Sequence, residues 1–158
     1  MTNRHRSITA LAILILALFT LAGCGSDNDS GSESASAAEP KVTAEDLGEG
    51  DKPSSISVDV KGPVQVNYRR ITIPPGTGTG KHCHDGNLIA TVEEGTLTHY
   101  APIYPNGVHE YKTGDAIHEG SGYIHEGKNE GTENVVLLVT YVTPEGKPLA
   151  ETDLKNCD

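Results

Sequence analysis

The 158-residue sequence has no tryptophan, one phenylalanine and one methionine. Six tyrosines supply nearly all of its aromatic carbon, so its core must be aliphatic and small. Beyond Lys52 no stretch of a dozen residues shows the 3.6-residue apolar period of a helix, which excludes a helical or α/β class. Basic residues are scarce. From Pro53 onward 14 acidic residues face 8 basic ones, with no basic patch, which argues against nucleic acid as a partner. No nucleophile elbow, phosphate loop or zinc-finger spacing occurs. The longest apolar run, Ile8 to Ala22, is interrupted only by Thr9 and Thr20 and falls short of the ~20 residues a membrane-spanning helix needs.

That run follows Arg4, His5 and Arg6 and closes on small residues, the pattern of an export signal. Leu21-Ala22-Gly23-Cys24 resembles the bacterial lipobox, which implies cleavage before Cys24 and lipid on Cys24. Residues 1–23 are therefore expected to be a lipoprotein signal peptide. Residues 24–52 are rich in Ser, Ala, Gly, Asp and Glu and have almost nothing to bury, so they read as a flexible acidic tether. Residues 53–158 remain for one small domain. The expected location is exported and lipid-anchored, on the outer face of the cell membrane or in the periplasm or outer membrane. Export permits disulfides, and Cys83 and Cys157 are the cysteines left after Cys24. A bridge between them is expected, with two free thiols as the alternative.

The domain reads as all-β. Strand candidates are 57–60, 64–73, 88–93, 96–101, 108–111, 116–119 and 134–142, enriched in Val, Ile, Thr and Tyr. Gly-Pro, Pro-Pro-Gly, Asp-Gly, Glu-Gly, Pro-Asn-Gly and Thr-Gly-Asp separate them as turns. Many short strands in a small domain imply a sandwich or closed barrel.

The stretch that carries chemistry is Gly76-Thr-Gly-Thr-Gly-Lys-His82-Cys83-His84. On an extended strand His82 and His84 share a face and Cys83 points the other way. Gly76, His82, His84 and Gly95 together resemble the first motif of the cupin superfamily. Gly114, Gly120, His125 and Asn129 resemble the second, with Gly120 where proline is usual. The resemblance implies a small double-stranded β-helix, or jelly-roll, barrel. It also implies that His82, His84 and His125 ligate one divalent transition metal (Fe, Mn, Ni, Zn or Cu). Spacing alone does not select the metal.

The sequence departs from that pattern at one place. The motif's glutamate ligand should fall seven residues before Gly95, where this chain has Leu88. Three arrangements remain open: a neutral three-histidine site, recruitment of Glu119, or a weak or lost metal. Glu119 shares a strand face with Ile117, so an inward Glu119 must meet the metal, a histidine or a tyrosine. His99 and Tyr123 are the other catalytic candidates; His109 and His118 read as outward residues. The functional expectation is a metal-dependent dioxygenase or related enzyme on a small organic molecule, with a non-catalytic metal or small-ligand binding module as the alternative. The resemblance also implies pairing of barrels into a homodimer through exposed sheet edges.

Overall fold

The computed structural model describes residues 42–158, and residues 43–158 form one compact unit. The expected signal peptide, Cys24 and the tether up to residue 41 lie outside the described residues. Seven strands form two antiparallel sheets. They are β1 (Val64–Ile73), β2 (Asn87–Glu94), β3 (Thr96–Tyr100), β4 (Val108–Lys112), β5 (Ala116–Glu119), β6 (Glu126–Lys128) and β7 (Val135–Pro144). One sheet has the order β1-β7-β2-β5, the other β4-β3-β6. No α-helix occurs among the described residues; a single 3₁₀ turn spans Leu154–Asn156.

Alternation along the strands builds the core. Leu88, Ala90 and Val92 of β2 and Val135, Leu137, Val139 and Tyr141 of β7 face inward at every second position. Leu97, Tyr111 and Ile117 close the interior from β3, β4 and β5. Gly95 joins β2 to β3 with a φ of 78°, a backbone conformation that L side chains rarely adopt. Gly86 passes so near β7 that a Cβ there would collide with the Val142 carbonyl.

Three local readings change. Residues 57–60 are not a strand; Val58 is exposed and the segment pairs with nothing, so its β propensity has no ladder to join. Strand β6 was not foreseen, because Glu126-Gly127-Lys128 has no β-forming residue; it exists through its pairing with Thr98–Tyr100. The His82–His84 segment lies outside the ladders. Isolated bridges hold it instead, His82 to His125 on one side and Cys83 to Glu151 on the other. At the domain's start, Asp51 exchanges backbone hydrogen bonds with Gly114 and Ala116, both 2.8 Å, so the chain already rests on the barrel there.

Asn129, the last residue of the second motif, is a structural clamp. It is 1% exposed. Its amide donates to the Ile73 and Glu133 carbonyls, and its backbone pairs with Gly76 and Thr77. It thereby fixes the loop that enters the histidine segment.

Candidate metal centre

His82 and His125 face each other across two backbone hydrogen bonds of 3.0 and 2.9 Å. Their ring centroids lie 4.4 Å apart, and His84 stands 4.9 Å from both. One donor atom from each of the three lies within 4.8 Å of the others, and all three rings are buried. Cys83 points the opposite way and is joined to Cys157, Cα to Cα 5.9 Å. The C-terminal segment is thereby strapped beside the histidines. Its Glu151 backbone pairs with Cys83, and its Leu149 carbonyl reaches the His84 ring.

The other ring nitrogen of each histidine decides what that ring offers. Nδ1 of His82 lies 2.8 Å from the Gly80 carbonyl, Nδ1 of His84 2.6 Å from that of Leu149, and Nδ1 of His125 3.1 Å from that of Tyr123. A carbonyl only accepts, so each Nδ1 carries the proton and donates. Each Nε2 is left with a bare lone pair, the form in which imidazole binds metal.

Glu119 brings the negative charge. It ends β5, points inward and is 7% exposed. Its Oε2 lies 3.0 Å from His84 Nε2 and 3.2 Å from His125 Nε2; its Oε1 lies 3.1 Å from His99 Nε2. Burial alone would raise the Glu119 pKa, but the neighbouring rings of His125, His84 and His99 hold it well below the usual carboxylate value. His125 is raised: burial lowers it, but Glu119 outweighs burial. His82 is lowered, first by burial and then by the neighbouring His125 and His84.

These residues fit a cation. Two lone pairs and a carboxylate oxygen that converge in a buried space repel one another unless a proton or a metal lies among them. Gaps of 3.0 and 3.2 Å match neighbouring donors on one ion bound at ~2.1 Å, for which the edge is roughly 3 Å. Three imidazole nitrogens and one carboxylate suit Zn, Fe, Ni, Cu or Mn.

The remaining candidates separate clearly. His99 is fully buried and lies against Glu119. Tyr123 lies tilted against His125, 5.2 Å between centroids, and burial pushes its hydroxyl up to about 12. His118 meets the side chain of Asn87. His109 is exposed and meets Tyr111 edge-on. The sequence does not point to Leu149, and it offers Tyr104 only as a tyrosine able to hydrogen-bond a ligand. Leu149 acts through its carbonyl, which leaves no signal in residue type, and Tyr104 lies in an irregular turn.

A small chamber of about 40 Å³ adjoins the cluster. Its walls are Leu88, Ile117, Leu137 and other apolar side chains, with His82 and Glu119 at one end.

Residues 69–141 match the family model for the cupin domain. Over that segment the chain is similar to the cupin domain. Similar solved structures include a conserved protein of unknown function from Streptococcus pyogenes, 18% identical over 51% of this chain and 67% of that one, with a TM-score of 0.45. A DMSP lyase from Ruegeria pomeroyi DSS-3 is 17% identical over 52% of this chain and 41% of its own, at 0.47. A predicted oxalate decarboxylase from Thermotoga maritima is 22% identical over 53% and 83%, at 0.43. Comparison with curated proteins gives no match. Leu88, at the position where the cupin pattern has its glutamate, supplies only a wall of the chamber.

Proposed function

We propose that this chain is an exported, lipid-anchored cupin that holds one divalent transition-metal ion through His82, His84 and His125. Glu119 completes the set in place of the family's missing glutamate. The observation that carries the reading is the shared tautomer. Three carbonyls accept hydrogen bonds from three Nδ1–H groups, and two of the freed Nε2 atoms stand within 3.2 Å of one carboxylate oxygen.

The activity that fits best is dioxygenase-like chemistry on a small organic molecule. When bound, the metal supplies a Lewis-acid and redox centre with open positions. The chain's residues do the rest. Three neutral imidazoles and one carboxylate offset half of a divalent ion's charge. The apolar walls beside His82 keep bulk water away, and the chamber has room for roughly two or three molecules of water size. That suits a small neutral co-substrate better than an organic acid. With Oε2 turned to the metal, Glu119 Oε1 is left facing the His99 ring 3.1 Å away, where a proton can be held between them.

A second reading has its own support. The His84 and His125 rings are 3% and 2% exposed, a degree of enclosure that also suits a non-catalytic metal-binding module.

Elemental analysis of protein purified without chelator should find about one transition metal per chain. Metal-free protein that takes up none on titration rejects the site. Oxygen consumption by the iron-loaded protein with a panel of small enols, thiols and phenols then separates the readings: uptake supports the enzyme, and its absence with every compound supports the binding module.

A further inference from the structure

Three histidine Nε2 atoms surround Glu119, but they are not equivalent. His84 and His125 donate their Nδ1–H groups to carbonyls. His99 has no carbonyl at Nδ1. Its partner is the Tyr104 hydroxyl at 2.6 Å, and Tyr104 in turn meets the Tyr111 hydroxyl at 3.1 Å. A hydroxyl donates as readily as it accepts, so the rest of the chain sets the direction. If His99 carried its proton on Nδ1, its bare Nε2 would face the Glu119 carboxylate at 3.1 Å, acceptor against acceptor, in a space without solvent. The consistent arrangement is the reverse. Tyr111 donates to Tyr104, Tyr104 donates to His99 Nδ1, and His99 Nε2–H faces Glu119 Oε1 at 3.1 Å, close enough for electrostatic attraction but off the line of a hydrogen bond.

We propose that His99 is a positioning residue, locked by the Tyr104–Tyr111 pair as an Nε2–H donor, that engages Glu119 Oε1 and leaves Oε2 for the metal. This rests on the metal reading above and adds to it. His99, Glu119 and His125 also stand close enough to group around an ion of their own. The tautomers reject that second site: His99 Nε2 holds a proton, and His125 has a single lone pair, directed at the same Oε2 as that of His84. The division of labour within Glu119 follows. One oxygen is a ligand and the other is held by a ring that cannot become one while the tyrosines are in place. Carboxylates held in this way bind through one oxygen in a fixed direction, which narrows the coordination geometry the site accepts.

The test uses Co²⁺, whose absorption reports coordination, titrated into the chelator-stripped protein and four variants. Wild type should bind one Co²⁺ per chain. His99→Ala should lower its affinity about 10- to 100-fold, the range for loss of a ligand's supporting partner, and alter the visible spectrum. His99→Gln keeps an N–H donor and should recover most of the affinity. Tyr104→Phe removes one oxygen, frees His99 to change tautomer, and should shift the spectrum with a smaller loss. His82→Ala, a ligand variant, should bind no Co²⁺. If His99→Ala unfolds, His99→Gln and Tyr104→Phe carry the test. Unchanged affinity and spectrum in the folded His99 and Tyr104 variants overturn the positioning role. Loss in His99→Gln as complete as in His82→Ala overturns it too, by making His99 a ligand. Failure of wild type to bind Co²⁺ rejects the metal reading itself, a result distinct from either.

Discussion

Glu119 lies directly opposite Leu88 in the antiparallel β2–β5 ladder. The family pattern places its carboxylate at position 88; this chain places one at the facing position on the neighbouring strand. Directly opposed residues on one sheet face have Cβ atoms only ~5 Å apart, so a carboxylate from either strand reaches the same space. On the reading proposed above, the carboxylate ligand stands across the ladder from the family's position, where Leu88 lines the chamber.

Exchange across the ladder is therefore expected to be reversible. Glu119→Leu should lower metal affinity by more than the 10- to 100-fold typical of a supporting partner. Leu88→Glu combined with Glu119→Leu should restore much of it. Metal titration of the two single variants and the double variant measures the coupling; a double variant no better than Glu119→Leu refutes the exchange.

His125→Ala should remove metal binding and keep the fold. The two hydrogen bonds between residues 82 and 125 are backbone bonds and do not need the ring. Circular dichroism should match wild type while bound metal per chain falls to zero. Full occupancy in this variant would remove His125 from the ligand set.

Chelation should lower the thermal midpoint. Metal at 100 times its Kd stabilises the folded state by about 2.7 kcal/mol. For a domain of this size each kcal/mol moves Tm by roughly 4–8 °C, so calorimetry should record a loss of roughly 10–20 °C. Identical midpoints with and without chelator would mean that the cluster holds no ion.

Opening the Cys83–Cys157 bridge has two expected effects. The bonded cysteines are 74 residues apart, and releasing that loop costs about 4–5 kcal/mol in the chain-entropy view. It also loosens the strap that places the Leu149 carbonyl on His84. A Cys83→Ser/Cys157→Ser variant should unfold at lower denaturant and bind metal more weakly. Unchanged metal affinity in the folded double variant would separate the strap from the site.

Much of this was legible in residue order because strands report themselves by alternation. The strand 116–119 keeps its expected bounds, and the shared face of Ile117 and Glu119 leaves an inward carboxylate as one of three open arrangements, the one in which Glu119 is buried. The two histidine motifs, with their glycines, implied the barrel. What the sequence withheld depends on contacts between distant backbone atoms. Leu149 supplies an acceptor that any residue type carries. Strand β6 has no intrinsic β preference and owes its existence to Thr98–Tyr100. His99 looked like a rim residue as readily as a pocket one, because its role is decided by Tyr104 and Tyr111, neither of which shares its strand. Residues 57–60 show the converse, a favourable composition without a partner.

The strap has a bearing on biogenesis. His84 takes its tautomer from a carbonyl 65 positions downstream, held in place by a sulfur bond that closes further along still. A nascent chain that has not yet produced residue 157, or one kept reduced, has the histidines but not the Leu149 carbonyl fixed against them. On the proposed reading, the complete ligand geometry is therefore expected only after residue 157 has been made and the bridge has closed.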